Sequence, residues 1–307
     1  MRKEILLIVN PEASKGKGRK KAAEICRCLD RNHLVFSMSF TTGKGHAEKL
    51  AFDGATEGFY KIVAVGGDGT VNEVVNGIMR SGFSDKVKMG IIPIGRGNDF
   101  AWICKIPKNI KKAVSIVSRD CGVMTDVGFC HGPDRPDGMY FLNGAGFGFE
   151  PMVNFKAMEY RHLNGMPSYI VAFCWMLRHC PNGYNINMNI DDTQEVHLTT
   201  QQISVANGIR MGSAFKMTPN AVIDDGKLDL MFTNRSFKGF GIVNMVMRFL
   251  LGAQTRDRKN FTYMNASKVI IQGDCNNLPV HLDGEVYSKT ARCVTVEILP
   301  SAIELLR

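Results

Sequence analysis

Two carboxylates flank a glycine at Asp283-Gly284-Glu285, directly after the Pro279–Leu282 run. In a strand, positions i and i+2 face the same side, so both side chains could point at one site. A pair so placed could orient a hydroxyl, accept its proton or hold a metal. The same residues also make an ordinary β-hairpin Asp-Gly turn. A second acidic group, Asp224-Asp225-Gly226-Lys227-Leu228-Asp229, puts three carboxylates within six residues of a turn. Hard oxygen donors in a tight turn suit Mg²⁺ or Ca²⁺, although the spacing is not that of an EF-hand and a plain turn uses the same residues. The third group is Gly66-Gly67-Asp68-Gly69-Thr70-Val71-Asn72-Glu73. Its glycines allow a turn that side chains would obstruct. Thr70 and Glu73 have capping-box spacing ahead of Val71, Val74, Val75, Ile78 and Met79 at helical intervals. Strand, glycine turn and helix N-terminus in that order present free N–H groups and a positive dipole end to an anion, most often a phosphate. A tight strand-to-helix connection with no ligand is the plainer use of such glycines. Arg96, between Gly95 and Gly97, is a fixed cation suited to touch phosphate.

The elements that must position these groups fall into two textures. Residues 4–9, 35–40, 62–65 and 87–94 read as strands, mostly unbroken apolar runs of the buried parallel kind. Helical stretches separate them, so residues 1–120 argue for an α/β layer. The first strand runs into Asn10-Pro11-Glu12-Ala13-Ser14 and a basic, glycine-bearing loop. That loop is a second candidate for phosphate, or the solvated start of a basic helix, and it is not a Walker A loop because no Gly-Lys-[Ser/Thr] closes it. The glycine loops all fall at strand C-termini, the edge where open α/β sheets bind ligands. From Asp126 onward, short β-type runs at 125–129, 139–143, 184–190, 197–206, 228–232, 268–272, 280–282 and 292–299 give the pattern of an antiparallel sandwich or barrel. Helices at about 168–179 and 237–251 carry bulky apolar residues, as core helices or as the walls of a lipid-facing groove. The G-x-G-x-G at 144–148 lacks the parallel strand and following helix of a dinucleotide fingerprint.

At 307 residues, 45% hydrophobic and 22% charged, the chain is a globular protein large enough for two domains. The net charge of +9 favours an anionic partner or simply a basic surface. Nine scattered cysteines with no C-x-x-C pair read as reduced thiols in a cytosol. No signal peptide is expected at the N-terminus. The most apolar windows, 169–177 and 242–251, fall short of the ~20 residues of a membrane span. Aromatics are not interleaved with basic runs, which argues against nucleic acid. Neither H-E-x-x-H nor G-x-S-x-G occurs, which argues against common hydrolases.

In chain order the motifs resemble the diacylglycerol kinase family of bacterial soluble lipid kinases, which shares its catalytic domain with eukaryotic diacylglycerol and sphingosine kinases. The resemblance is carried by Asn10-Pro11 with Ser14, Thr41 with Gly45-His46-Ala47, the 66–73 segment, and Pro93 with Gly95 and Gly97-Asn98-Asp99-Phe100. Downstream it continues through Asp126-Val127-Gly128, Val205-Ala206-Asn207-Gly208, Pro219 with Ala221, Asp225-Gly226 with Leu228-Asp229, and Asp283-Gly284-Glu285. The G-G-D-G-T piece alone is shared with NAD kinases and, with Ser for Thr, with phosphofructokinases. The ordered set spans essentially the whole chain.

The resemblance implies an ATP-binding α/β domain of NAD kinase/phosphofructokinase type over residues 1–124, to which 300–307 return. It implies a mostly antiparallel β-sandwich, the lipid-substrate domain, over 125–299. ATP contacts are implied at Asn10, Pro11, Glu12, Ala13, Ser14, Thr41, Gly66, Gly67, Asp68, Gly69, Thr70, Val71 and Asn72, with Asp68 engaging Mg²⁺. Glu285 is the implied proton acceptor with Asp283 its neighbour, and a structural Mg²⁺ is implied at the Val222 carbonyl, the Asp225 side chain and the Lys227 carbonyl. The family usually has Thr where this chain has Arg96, a position that contacts ATP. The arginine could supply a charge-assisted phosphate contact instead, or mark a different substrate or weak activity. The activity so implied is transfer of the γ-phosphate of Mg-ATP to a lipid hydroxyl, first of all diacylglycerol to give phosphatidic acid. Alternatives are another lipid acceptor (phosphatidylglycerol, a sphingoid base), an NAD kinase-like enzyme, and a nucleotide- or lipid-binding module without turnover. The expected setting is cytoplasmic and peripheral on the inner face of the membrane, without a transmembrane segment or nucleic acid. Family precedent suggests a homodimer.

Overall fold

The computed structural model describes residues 2–160, 163, 166–212, 214–275 and 277–307. The first part of the chain runs β1 (Arg2–Val9), α1 (Ala13–Gly16), α2 (Gly18–Arg31), β2 (Phe36–Phe40), α3 (His46–Thr56), β3 (Phe59–Gly66), α4 (Asp68–Arg80), β4 (Lys88–Pro93), α5 (Asp99–Ile103) and α6 (Ile110–Arg119). The four strands lie in the order β2-β1-β3-β4 and pair in parallel. Ile62, Val63, Ala64 and Val65 are fully buried, as expected of a central parallel strand. Three strands end at Val9, Gly66 and Pro93, so their C-terminal loops share one edge of the sheet.

The second part runs β5 (Gly122–Gly132), β6 (Arg135–Phe141), β7 (Gly144–Gly148), α7 (Phe149–Glu159), α8 (Met166–His179), β8 (Tyr184–Ile190), β9 (Gln194–Thr200), β10 (Gln202–Ala206), β11 (Leu228–Thr233), α9 (Phe240–Leu251), β12 (Phe261–Ala266), β13 (Lys268–Gly273), β14 (Leu278–Leu282), β15 (Glu285–Ala291) and β16 (Cys293–Leu306). One antiparallel sheet has the order β12-β11-β10-β7-β14-β15. The other continues the first sheet, β4-β16-β13-β8-β9, with β5 and β6 hung on β16. Strand β8 alternates in period two, burying Tyr184, Ile186, Met188 and Ile190 against Val205, Leu230 and Val280. That shared core makes the second part a β-sandwich. The long β16 joins the two parts, because its end pairs in parallel with β4 at Glu304 and Leu305 while its body pairs antiparallel with β5 and β13. Helices α8 and α9 close a third apolar cluster around Phe149, Met176, Met245 and Phe249.

Several local expectations change. Residues 197–206 are not one strand, because the chain switches sheets at Gln201 between β9 and β10. The glycine-rich 144–148 stretch is β7, antiparallel to both β10 and β14, and a helix, α7, does follow it. Strands β12 and β15 also lie outside the runs expected from hydropathy.

Candidate active site

Helix α4 begins at Asp68 with Gly67 as N-cap and no side-chain cap. Its first N–H groups have no partner within the helix and face the sheet edge. The capping box does not form. Glu73 instead accepts from the backbone N–H of Gly45 at 2.8 Å and of Ala47 at 3.0 Å, which ties the loop after Thr41 to α4. The helix starts three residues earlier than a Thr70 cap requires. Thr70 Oγ1 is instead 3.3 Å from Asn10 Nδ2, a contact between the first and third strand loops.

The three loops are braced on one another by backbone-directed bonds. Ile94 and Gly95 N–H both donate to the Gly66 carbonyl, at 2.9 and 3.0 Å. Ser14 Oγ donates to the Ile94 carbonyl at 2.7 Å, and Thr41 N–H to the Val9 carbonyl at 2.9 Å. A Cβ on Gly95 would run into Gly67 Cα, so glycine is required where these backbones cross. The Asp68 carboxylate takes the Asn98 N–H at 2.7 Å and the Asp99 N–H at 2.6 Å. Helix α5 has no cap from its own N-cap side chain, and Asp68 supplies one from another element. Both Asp68 oxygens thus have a structural duty that its spacing did not reveal. Arg96 is exposed at the tip of the same loop.

Across the cleft, Asp283 and Gly284 are the two residues joining β14 to β15, both with positive φ (50° and 85°). This is the hairpin reading of the carboxylate pair. The turn therefore sends the two acids to different places, and they do not share a strand face. Asp283 is turned inward and accepts four bonds at 3.0 Å. Asn143 and Gly144 N–H donate to Oδ1, while Leu142 N–H and Asn72 Nδ2 donate to Oδ2. Burial pushes its carboxyl above the usual range, while the four donors favour the ionised form. Glu285 points into the cleft. Its Oε2 is 2.6 Å from Lys44 Nζ, and a Cβ on Gly69 would stand 3.1 Å from its Oε1. A cavity of about 350 Å³ lies beside it, lined by Lys44, Asn72, Glu73, Arg80 and Arg135 among others.

Sequence reasoning missed the support beneath this turn. His281 Nδ1 accepts from the Gly284 N–H at 3.1 Å, so the neutral ring carries its proton on Nε2, which lies 2.9 Å from Glu150 Oε1. Asn154 Nδ2 donates to the Gly284 carbonyl at 2.8 Å, and Tyr169 OH donates to Asn154 Oδ1 at 3.2 Å. Glu150 and Asn154 sit four apart on α7, a helix with no clear hydropathy signal. Burial alone would lower the His281 pKa, but the Glu150 carboxylate outweighs it and the value rises.

The acidic turn at 224–229 does not converge. Asp224 pairs with Arg307, Asp229 accepts from Tyr263 OH at 2.6 Å, and Asp225 Oδ1 accepts the Lys227 N–H at 3.0 Å. Asp126 anchors the turn, taking the N–H groups of Gly226 at 2.6 Å and Ser301 at 2.7 Å. Among the described residues, no three His, Cys, Asp or Glu side chains form a metal cluster. An ion here would depend on the Asp225 carboxylate with the carbonyls of Val222 and Lys227, a hard-oxygen set that suits Mg²⁺.

Two family models match the chain. The diacylglycerol kinase catalytic domain covers residues 4–130, and the YegS C-terminal NAD kinase beta sandwich-like domain covers 144–307. The diacylglycerol kinase of Bacillus subtilis (strain 168) is 26% identical over 288 residues, 92% of this chain and 90% of its own length. The crystal structure of a diacylglycerol kinase from Bacillus anthracis str. Sterne aligns with a TM-score of 0.78 at 24% identity, over 99% of this chain and 96% of that one. An NAD kinase from Archaeoglobus fulgidus, solved in complex with ATP, aligns at 0.55 and 15% identity over 99% and 93%. At these identities the two structures are likenesses of fold.

Proposed function

The chain belongs to the diacylglycerol kinase family of lipid kinases, and we propose that it transfers the γ-phosphoryl group of ATP to a lipid hydroxyl, diacylglycerol being the first acceptor and phosphatidic acid its product. One observation supports this reading above the others. The Glu285 carboxylate, from the second part of the chain, stands over Gly69 at the open end of α4. Phosphate held by the N–H groups of that helix end and an acceptor hydroxyl held by Glu285 would meet there.

In the proposed reaction the acceptor oxygen bonds to the γ-phosphorus as the bond to the bridging β,γ-oxygen breaks. ADP leaves and the hydroxyl proton passes to Glu285. The transition state is loose and rich in charge, so positioning and electrostatics matter more than proton abstraction. Glu285 is the base in this scheme because each Asp283 oxygen already accepts two N–H bonds. Asp283 is then the residue that fixes the turn. Lys44 and Arg96 are the cations available to the phosphates. Mg²⁺, when bound, would neutralise phosphate charge. Asp68 near the phosphates, and Val222, Asp225 and Lys227 at the structural turn, have the hard oxygens to hold it. No helix among the described residues is long and apolar enough to cross a membrane, and we infer a peripheral enzyme that meets its lipid from the cytoplasmic face.

Incubation with radiolabelled ATP and extracted membrane lipids, with the product identified by mass spectrometry, tests this function. A labelled lipid is the expected outcome. Label on NAD with none on lipid would assign the chain to NAD kinase chemistry. Calorimetric ATP binding without ADP release across a lipid panel would make it a binding module.

A further inference from the structure

A tight hairpin turn leaves the N–H and C=O of its second residue outside the strand ladder, to be satisfied by something else. Here the ladder closes with Leu282 opposite Glu285, and Gly284 is that second residue. Side chains take both of its groups. His281 Nδ1 accepts the N–H at 3.1 Å, and Asn154 Nδ2 donates to the carbonyl at 2.8 Å. A Cβ on Gly284 would meet nothing within 4 Å, so hydrogen bonds rather than packing hold the residue on that side. The carbonyl lies in the plane of the Gly284–Glu285 peptide, so its direction sets where Glu285 leaves the backbone.

Asn154 can donate to that carbonyl in only one of its two amide orientations. The other would set Oδ1 against the carbonyl, acceptor against acceptor. Tyr169 selects the productive one, because its OH donates to Asn154 Oδ1 at 3.2 Å. Burial, and then the charges of Glu150 and Asp99, push this phenol above its usual pKa, so it keeps its proton at neutral pH. Asn154 lies on α7 and Tyr169 on α8, and both helices thereby reach the turn.

We propose that Asn154 and Tyr169 are positioning residues for the transfer. Tyr169 orients the Asn154 amide, and Asn154 orients the peptide that carries Glu285. The proposal rests on the reading of Glu285 as the base, so one measurement follows the peptide and another follows turnover.

Gly284–Glu285 is the only Gly-Glu peptide in the sequence. Full-length protein made by cell-free synthesis with carbonyl-¹³C glycine and ¹⁵N glutamate therefore gives one carbonyl–nitrogen correlation by NMR. Its carbonyl shift should move in Asn154→Asp, whose ionised side chain cannot donate, and should move the same way by less in Tyr169→Phe. With the lipid that the wild type phosphorylates, kcat should fall about 10²-fold in Asn154→Asp, the loss expected of a group misplaced by about 1 Å. Tyr169→Phe should lose about five-fold, the worth of one neutral hydrogen bond. The KM for ATP should not change, because the chain of bonds ends at the hairpin. In a Glu285→Gln background both losses should vanish, since nothing is left to position. If Asn154→Asp does not fold, Tyr169→Phe, at a part-exposed residue, gives both readings. A carbonyl signal unmoved in the folded variants would overturn the proposal, and so would equal losses with and without Glu285. Wild-type protein without turnover on any lipid would count against the kinase reading, while a moved carbonyl signal would still mark the peptide as held by this pair.

Discussion

Asn72 and Asp283 are 211 positions apart in sequence, and the Asn72 Nδ2 donates to Asp283 Oδ2 at 3.0 Å. Asn72 belongs to the helix behind the glycine turn, and Asp283 to the hairpin that carries Glu285. One hydrogen bond therefore links the proposed phosphate side of the cleft to the acceptor side. Asp283→Asn keeps the shape but turns one amide NH₂ toward two N–H donors. It should cost about 2–5 kcal/mol, from unsatisfied buried groups. Asn72→Ala removes one of four donors and should cost about 1.5–3 kcal/mol. Urea unfolding of both variants checks the order. An Asn72→Ala protein as damaged as Asp283→Asn would contradict the shared-carboxylate account.

Glu285→Gln should fold like the wild type, because the Glu285 side chain is part-exposed and its ion pair is with the exposed Lys44. If Glu285 takes the hydroxyl proton, kcat should fall by ~10²–10⁴-fold. Lys44→Ala should change stability by less than about 1 kcal/mol, as for other exposed pairs, and should raise the KM for ATP if Lys44 also meets phosphate. Steady-state kinetics on the two variants separate these roles.

Asp68→Ala should lose activity by at least ~10²-fold. It should also lose about 2 kcal/mol of stability in buffer free of divalent cations, because the start of α5 loses its cap. A variant that is inactive yet as stable as wild type without metal would return Asp68 to a purely metal-binding role.

Gly95→Ala forces a Cβ onto the Gly67 backbone and should separate the two glycine loops, destabilising the protein and abolishing ATP binding. Gly43→Ala is the control. Its added Cβ meets nothing within 4 Å, and stability should be nearly unchanged. Thermal unfolding with and without ATP reads both.

Part of this site is legible in the amino-acid sequence alone. The strand at 62–65 and the turn after it are, because a buried parallel strand needs continuous apolar residues and a chain reversal beside a ligand needs glycine. Other features depend on partners far away in sequence. Thr70 and Glu73 have the spacing of a capping box, yet Glu73 is taken by the backbone of Gly45 and Ala47. Asp283 and Glu285 are visible as a pair, but which faces the cleft depends on the positive φ values at 283 and 284. Gly146 belongs to a glycine pattern that is no dinucleotide fingerprint. Its real constraint is a Cβ that would stand 2.5 Å from Glu150 Oε2 and 2.6 Å from His281 Nε2. No local pattern announces a glycine needed to make room for two residues from other elements.

The Glu150–His281 pair gives the fold a pH signature whose sign follows from the structure. Burial would depress the His281 pKa, and Glu150, aided by Asp283 and Glu285, raises it above 6.5. A histidine whose folded pKa is raised contributes stability that is fully present below about pH 6.5 and is lost as pH climbs through the folded value. The difference in unfolding free energy between wild type and Glu150→Gln should therefore shrink as pH rises above about 6.5, as read by urea titration at each pH. Turnover should move the other way. A second proton on Nδ1 would face the Gly284 N–H and cost the turn a bond of about 1 kcal/mol. Activity should then fall on the acid side, and His281→Gln, which cannot gain that proton, should flatten this limb. An acid limb left unchanged by His281→Gln would separate the turn that holds Glu285 from the protonation of the ring beneath it.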